Sequence, residues 1–255
     1  MDGSVWVILP TYDEAENLEA VVGGVRAATP DAQILVVDDN SRDGSAELAD
    51  ALAAEDAALH VLHRPGKAGI GRAYTAGFAY ALDAGAGLVI EMDADLSHDP
   101  ADLPRLIAPA LDGADLVLGS RYVAGGGIEN WGLDRRVLSR WGCGYARRAL
   151  GVEVRDLTGG FKCFRAGALR AVDFETATAH GYAFQVELTW RVLCVGCSVV
   201  EVPIRFRERR LGESKMSARI ALEAAWKVPA LRFGSRRWRP LEADARPADA
   251  VVHEG

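Results

Sequence analysis

The sequence predicts an α/β protein whose central sheet is mainly parallel and is covered by helices on both faces. Apolar runs of strand length alternate with helical patterns through the first 120 residues, as in a series of βα units. These runs are continuously apolar instead of alternating, which is typical of strands buried on both sides. The sequence contains no repeat of fixed period that would indicate a solenoid.

Five strands and four helices are expected in this first half. The strands fall at residues 5–9, 33–37, 59–62, 88–92 and 115–118. The helices fall between them, at residues 13–25, 43–54, 67–84 and 100–111. Asp13, Glu14 and Glu16 open the first helix, where negative charge is favourable for the helix dipole. Its apolar stripe, at residues 18, 21, 22 and 25, has helical spacing.

The second half is less regular. Helices are expected at residues 131–150 and 183–195, and a last strand at 199–206. Residues 218–239 form a basic amphipathic segment that either lies in a membrane interface or caps the core. Residues 240–255 have the composition of a disordered tail.

Composition and charge limit the function classes. Hydrophobic residues make up 49% and charged residues 25% of the 255 positions, as in ordinary globular proteins. No apolar run reaches the roughly 18 residues of a membrane span and no signal peptide is visible, so we expect a cytoplasmic location. The Cys194–Cys197 pair has no second pair beside it, which favours buried reduced thiols.

The net charge of −7 is unevenly distributed. Residues 201–239 carry eleven Lys or Arg against four Glu, so this segment is +7 and the rest of the chain is −14. A basic end on an acidic protein suggests anionic partners such as phosphates or acidic lipid. Nucleic acid is not expected as a partner, because the sequence has no known reader motif.

The fourth predicted strand stops at two carboxylates, Asp93 and Asp95. Residues i and i+2 of a strand point to the same side, so both carboxylates are directed at one point beyond the end of the strand. Open α/β sheets hold their ligands at that edge. Two oxygen donors there suit Mg²⁺ or Mn²⁺ carrying a phosphate, although a D-x-D sequence alone is more often a solvated turn.

Polar clusters follow three of the predicted strands, at residues 10–14, 38–43 and 93–99. In a parallel sheet all three fall on one edge, and paired carboxylates at two of them exceed what helix capping requires. On the predicted helix 131–150, Arg135 and Ser139 share a face. This spacing indicates either a salt-bridged surface helix or a helix that faces an anion.

Together these motifs resemble glycosyltransferase family 2 and, within it, the polyprenol (dolichol) phosphate mannose synthases. The matching stretches cover about 210 residues in the family's order: LPTYDEAENL (9–18), VVDDNSRDGS (36–45), KAGIGRAYTAGF (67–78), EMDADLSHDP (91–100), GSRYVAGG (119–126), DLTGGFKCFR (156–165), GYAFQVEL (181–188) and PIRFRERRLGESKMS (203–217). The resemblance implies a single GT-A domain over residues 1–217, a GDP-mannose donor, a polyprenyl monophosphate acceptor and a Mg²⁺ or Mn²⁺ ion.

The resemblance also implies roles for individual residues. The donor would be held by Pro10, Tyr12, Glu14, Val37, Asp39, Asp93, Ala94, Arg121, Arg209 and Lys215. The metal would be held by Asp93, Asp95 and Ser97, and the acceptor phosphate by Arg121, Arg135 and Ser139. Asp95, Arg121, Arg135 and Ser139 would be the catalytic residues. Some family members have Gln in place of Ser97, which leaves open whether Ser97 contacts the metal directly or through water.

The implied reaction is attack of a lipid phosphate oxygen on the anomeric carbon, with inversion. Many family members carry C-terminal transmembrane helices that this sequence does not show. We therefore expect peripheral attachment to the cytoplasmic face of a membrane, or attachment through a membrane-anchored partner. The alternatives are a UDP-glucose-dependent polyprenyl phosphate glucosyltransferase and a non-catalytic nucleotide-binding subunit of a membrane complex. A processive polysaccharide synthase is disfavoured, because neither a Gln-x-x-Arg-Trp signature nor membrane spans are present.

Overall fold

The computed structural model describes residues 3–177, 179, 181–207 and 228–232. Its strands are β1 (Ser4–Thr11), β2 (Gln33–Asp38), β3 (Leu59–His63), β4 (Ala86–Glu91), β5 (Leu116–Ser120), β6 (Gly127–Ile128), β7 (Lys162–Arg165), β8 (Val199–Pro203) and β9 (Arg205–Phe206). Its α-helices are α1 (Ala15–Ala28), α2 (Ser45–Glu55), α3 (Ile70–Asp83), α4 (Leu103–Leu111), α5 (Leu133–Leu150), α6 (Ala166–Ala171) and α7 (Tyr182–Cys194). Residues 228–232 are also helical.

Seven strands form one sheet in the order β3-β2-β1-β4-β7-β5-β8. Every neighbouring pair is parallel except those of β7, which runs antiparallel between β4 and β5. The expected mainly parallel α/β fold is therefore confirmed. A second, two-stranded sheet pairs β6 with β9 beside the end of β8.

Two hydrophobic clusters cover the two faces of the sheet. One joins α3, α6, α7 and the C-terminal half of α5, and contains Tyr74, Phe78 and Phe164. The other joins α1, α2 and α4, and contains Leu18 and Leu106. Because both faces are covered, the strand residues between them are almost all fully buried, which explains why the strands are continuously apolar.

The strand order reverses between β1 and β4. The chain moves outward from β1 through β2 to β3, and then crosses to β4 on the other side of β1. Such a switch point opens a crevice at the carboxyl edge of an open parallel sheet. The loops that follow β1, β2 and β4 meet at this edge.

The structure departs from the sequence prediction in the second half of the chain. Strand β7 and helix α6 follow the turn-rich segment 156–161 and were not predicted. The strand predicted at 199–206 is two strands interrupted at Ile204, and β9 leaves the main sheet to pair with β6. Helix α5 begins at Leu133, later than predicted, and ends at Leu150; the next residue, Gly151, has the left-handed conformation (φ +72°) that glycine adopts readily.

Candidate active site

A cavity of about 340 Å³ opens at the carboxyl edge of the sheet. Its wall includes the ends of β1 and β4, the N-terminal part of α3, and the N-terminal part of α5. Among the residues that line it are Pro10, Tyr12, Glu14, Asp39, Lys67, Asp93, Ala94, Asp95, His98, Arg121, Trp131, Arg135, Thr158, Gln185 and Phe206. The cavity thus lies in the crevice that the strand order creates.

The acidic loop after β4 is fixed by buried contacts. The Tyr74 hydroxyl of α3 donates a hydrogen bond to Asp93 Oδ1 at 2.9 Å. The Asp93 amide donates to Nδ1 of His98 at 3.1 Å, and the His98 ring stacks on Phe161 with centroids 4.8 Å apart. Burial, together with the negative charge of Asp93, raises the pKa of Tyr74 well above its ordinary value, so its hydroxyl remains a donor.

This loop fits a divalent cation that also binds phosphate. Asp93 and Asp95 both line the cavity. The Asp95 carboxylate accepts a hydrogen bond from the Ser97 amide at 3.0 Å, and this bond orients the carboxylate. The Ser97 hydroxyl is fully buried and has no hydrogen-bond partner within the described residues. Over the same residues there is no cluster of three or more His, Cys, Asp or Glu side chains suited to a metal. Two carboxylates match Mg²⁺ or Mn²⁺, which take further ligands from phosphate and water.

The ends of β1 and β2 contribute another part of the cavity wall. The Lys67 ammonium lies 3.5 Å from the centroid of the Tyr12 ring. Asp39 is buried at the end of β2, forms a salt bridge with Arg64, and lies 3.4 Å from the Ala68 amide. An aromatic face beside a fixed carboxylate offers stacking and a hydrogen-bond acceptor, which are the groups that a nucleobase requires.

Arg121 follows β5 and is almost completely buried in a bidentate ion pair. Its Nε and Nη2 donate to the two carboxylate oxygens of Asp156, each at 2.7 Å, and Nη2 also donates to Thr158 at 2.8 Å. Burial opposes ionisation of Asp156, but the charge and hydrogen bonds of Arg121 outweigh it and hold the pKa of Asp156 below its usual range. The guanidinium is therefore a permanent, rigidly placed positive charge in the cavity wall.

The first two turns of α5 provide a second cationic group. The Arg135 guanidinium lines the cavity and lies 3.9 Å from the centroid of the Trp131 ring. One turn further along α5, Ser139 accepts a hydrogen bond from the Tyr122 hydroxyl at 2.7 Å. Arg121 and Arg135 thus both lie within contact range of the Trp131 ring, and they line the same cavity as the carboxylates of the loop after β4.

A buried ionisable cluster lies behind the acidic loop. Glu91, the last residue of β4, is directly opposite Lys162 of β7, and both side chains are fully buried. Lys162 Nζ donates to the side-chain oxygen of Gln185 at 2.5 Å and to its main-chain oxygen at 2.8 Å. Burial raises the pKa of Glu91 to about 7, although the charge of Lys162 opposes the rise, and burial lowers the pKa of Lys162 to about 8.

Most of the residues singled out from the sequence meet in this cavity. Those in its wall are Pro10, Tyr12, Glu14, Asp39, Asp93, Ala94, Asp95, Arg121 and Arg135. Three others are not among the lining residues: Ser97 and Val37 are fully buried, and Ser139 accepts the hydrogen bond from Tyr122. Arg209, Lys215 and residues 218–227 and 233–239 of the predicted amphipathic segment lie outside the described residues.

Sequence reasoning gave no role to Lys67, Thr158 or Gln185, which also line the cavity. Each belongs to a stretch that carried the family resemblance, so the resemblance located their segments but not their side chains. His98 also lines the cavity, and its Nδ1 accepts a hydrogen bond from the Asp93 amide within the acidic loop.

Comparison with known proteins shows which family the chain belongs to. The model of glycosyl transferase family 2 matches residues 6–173. An undecaprenyl-phosphate mannosyltransferase of Micrococcus luteus is 48% identical over 240 residues, covering 94% of this chain and 98% of that protein. A polyprenol monophosphomannose synthase of Mycolicibacterium smegmatis is 50% identical over 223 residues, covering 87% and 84% respectively.

The fold has a counterpart among solved structures. Glucosyl-3-phosphoglycerate synthase of Mycobacterium tuberculosis, crystallised with Mn²⁺, UDP-glucose and phosphoglyceric acid, superposes with a TM-score of 0.64 over 94% of this chain and 82% of that one. The two sequences are 18% identical, so this similarity concerns the fold alone.

Proposed function

Since the chain belongs to glycosyltransferase family 2, we propose that this glycosyltransferase moves mannose from GDP-mannose to a polyprenyl monophosphate. The observation that carries the proposal is the single cavity that two carboxylates and two arginines line together. A reaction between a nucleoside diphosphate sugar and a lipid phosphate requires carboxylates to hold a cation and positive side chains to bind phosphate. The two bacterial relatives, about half identical over most of their length, are named for mannose transfer to polyprenyl phosphates, which supports this choice of sugar and acceptor.

In the proposed reaction an acceptor phosphate oxygen forms a bond to the anomeric carbon of mannose. The bond between that carbon and the β-phosphate oxygen of GDP breaks, and the configuration at the carbon inverts. The acceptor phosphate is already ionised near neutral pH, so no strong general base is needed. This agrees with a cavity whose histidine, His98, is engaged with the Asp93 amide.

Asp93 and Asp95 would hold the Mg²⁺ or Mn²⁺ ion, with the buried Ser97 hydroxyl behind them. When bound, this ion would supply positive charge to the leaving diphosphate, and such stabilisation is typically the largest contribution to catalysis. Tyr74 and His98 keep the acidic loop in place before substrate arrives, so little reorganisation is required during the reaction.

Arg121 and Arg135 would bring the acceptor phosphate to the sugar. Two phosphate groups repel each other as they approach, and fixed guanidinium groups offset that repulsion. The ion pair with Asp156 prevents Arg121 from moving, so its position does not depend on the ligand. On the other side, Tyr12, Lys67 and Asp39 would bind the nucleotide.

We further propose that the enzyme acts at the cytoplasmic face of a membrane without spanning it. Among the described residues, no helix combines the length and apolar character needed to cross a bilayer. The lipid acceptor nevertheless resides in the membrane, so the protein must reach its surface.

The direct test is transfer of radiolabelled sugar to a polyprenyl phosphate from GDP-mannose and, separately, from UDP-glucose. We expect mannose transfer only, dependent on Mg²⁺ or Mn²⁺. Transfer of glucose in place of mannose would favour the UDP-glucose alternative. Absence of transfer from either donor, with nucleotide binding intact, would favour the non-catalytic subunit.

Replacement of Asp95 by Ala tests the metal assignment. We expect transfer to fall by about 100-fold or more, because charge on the leaving group is no longer neutralised. Asp112→Ala is the matched control, since Asp112 is exposed beyond the end of α4, at the opposite edge of the sheet. Full activity of folded Asp95→Ala with added Mn²⁺ would refute the assignment.

A further inference from the structure

Four aromatic rings form a continuous row at the candidate site. The His98 ring stacks on Phe161, with centroids 4.8 Å apart, and meets the Phe206 ring edge to face at 5.4 Å. Phe206 in turn meets the Trp131 ring edge to face, also at 5.4 Å. Pairs in these arrangements are favourable beyond the apolar area that they bury, because the ring quadrupoles attract each other. The row therefore holds its members at set separations.

The two ends of this row contact the two halves of the candidate site. His98 Nδ1 accepts the Asp93 amide, so one end belongs to the acidic loop. At the other end, the Arg135 guanidinium lies 3.9 Å from the centroid of the Trp131 ring. Phe206 stands between them and comes from β9, which is distant from both segments in the sequence. The row thus joins the loop proposed to hold the metal to the arginine proposed to bind the acceptor phosphate.

The main chain on both sides of the Phe206 ring is tied to the same two segments. The Phe206 carbonyl accepts the Glu129 amide at 2.8 Å. The Arg207 amide donates to the Ser97 carbonyl at 3.1 Å. The Arg207 guanidinium forms salt bridges with Asp99 and Glu129, both at 3.4 Å. Because these bonds hold the backbone of β9, removal of the Phe206 ring takes away the aromatic contacts while the strand keeps its place.

The start of α5 has few other packed contacts. Between Trp131 and Cys143 no residue is buried, and Leu133, the first residue of the helix, is 79% exposed. Arg136 donates to the Ile128 carbonyl at 2.6 Å, but an exposed bond of this kind competes with water and adds little stability. Trp131 is therefore the main buried contact that sets where the first turn of α5 lies.

We propose that Phe206 is a positioning residue: its ring fixes Trp131, and Trp131 sets the distance of Arg135 from the acidic loop. The identity of the ligand at Arg135 rests on the proposed function. A charge displaced by about 1 Å from its productive position costs about 100-fold in rate, so such support matters to the reaction. The acidic loop keeps the hydrogen bond from Tyr74 to Asp93 when the Phe206 ring is lost. The effect should therefore fall on acceptor use and not on donor binding.

Hydrogen exchange followed by mass spectrometry tests the positioning without any ligand. Peptides covering residues 131–142 of the full chain should exchange about tenfold faster or more in Phe206→Ala, whereas peptides covering α1 should be unchanged. Phe206→Leu keeps apolar volume without the ring and should give an intermediate rate. Leu106→Ala is the matched control, because it removes a fully buried side chain from α4, which contributes no residue to the cavity wall. It should leave the exchange of residues 131–142 unchanged.

Steady-state kinetics with a short-chain, water-soluble polyprenyl phosphate connects the positioning to the reaction. In Phe206→Ala the KM for the acceptor should rise by about tenfold, and the KM for GDP-mannose should stay within about twofold. If Phe206 acts through Arg135, the two effects are not independent. Phe206→Ala should then raise the acceptor KM by less than about twofold when it is added to Arg135→Ala.

Three results would overturn the proposal. The first is unchanged exchange of residues 131–142 in folded Phe206→Ala. The second is an acceptor KM in the double variant that equals the product of the two single effects. The third is a donor KM that rises as much as the acceptor KM. Failure of the wild type to transfer sugar to any acceptor would instead refute the proposed function, and the exchange rates would still decide whether Phe206 positions the start of α5.

Discussion

At the scale of single residues, the candidate site depends on charges that are fixed before substrate binds. Arg121 is held by both oxygens of Asp156 and by Thr158, so its position is set by the fold. Arg135 is held differently, beside the Trp131 ring at the start of α5. The two arginines therefore approach the cavity from separate elements, and each can be removed without removing the other.

Replacement of Arg135 by Ala should weaken acceptor use more than donor binding. Loss of a charged hydrogen bond to phosphate corresponds to about 1.5–3 kcal/mol, so we expect the KM for the acceptor to rise by about 10- to 100-fold. The KM for GDP-mannose should stay within about twofold. Steady-state kinetics with a short-chain soluble acceptor measures both values without interference from membrane binding.

Two companion variants make the Arg135 result specific. Arg136→Ala changes the neighbouring, outward-facing arginine and should leave both KM values near those of the wild type. Arg135→Lys keeps the charge but loses the planar guanidinium, so we expect partial recovery. A rise confined to the donor KM in Arg135→Ala would show that Arg135 belongs to the donor site.

The sequence indicated many of these residues because they come directly after the apolar runs that predict strands. Asp39 and Asp93 follow apolar runs directly, and parallel strands bring such ends to one edge. Lys162 and Gln185 could not be found in this way. A lysine in the core contradicts the usual exposure of that residue type, and only the pairing of β7 with β4 places it opposite Glu91.

At the scale of elements, β7 is the part of the sheet that local patterns do not predict. It has four residues and comes soon after two glycines. It runs antiparallel between β4 and β5, both of which are far from β7 in the sequence. Short strands of this kind are specified by their neighbours more than by their own propensity. The βα units of the first half were predictable because each strand and each helix has a complete apolar pattern of its own.

The Glu91–Lys162 pair between β4 and β7 gives a prediction with a defined pH dependence. Lys162→Met should destabilise the protein by about 3–5 kcal/mol at pH 8, because it leaves a buried carboxylate without its counter-charge. The pKa of Glu91 in the folded state, about 7, already exceeds its unfolded value. Its contribution to stability is therefore present at low pH and is lost as the pH rises through the folded pKa. The effect of Lys162→Met should accordingly be smaller at pH 6 than at pH 8.

Urea unfolding followed by circular dichroism at the two pH values measures this difference. The double variant Glu91→Gln with Lys162→Met removes both charges and should be more stable at pH 8 than Lys162→Met alone. It should also lose the added pH dependence, because no titrating group remains in the pair. The same loss of stability at pH 6 and pH 8 in Lys162→Met would show that the two charges are not coupled.

At the scale of the whole molecule, one sheet edge brings together parts of the chain that are far apart in sequence. The cavity wall contains residues from position 10 to position 206, and the Arg207 amide returns to the Ser97 carbonyl in the acidic loop at 3.1 Å. The first half of this arrangement follows from the alternation of strands and helices. The second half depends on long-range contacts for which a single sequence gives no local signal.

The helical residues 228–232 extend the domain beyond the last strand. Val228 is buried in the same cluster as α5 and α7, and the Trp190 indole donates to the Leu231 carbonyl at 3.3 Å. These contacts tie the chain after position 227 to two helices of the core. If the contacts are part of the cooperative fold, damage to them should destabilise the entire domain and not only its end.

Replacement of Val228 by Asp tests this integration. A carboxylate forced into the cluster should lower the free energy of unfolding by about 2–4 kcal/mol, in a single transition seen equally by tryptophan fluorescence and circular dichroism. Leu111→Asp introduces the same charge at an exposed apolar position and should change stability by less than about 0.5 kcal/mol. If Val228→Asp left the midpoint unchanged, residues 228–232 would open independently of the core. The wild-type transition would then report only on the sheet and the seven helices that cover it.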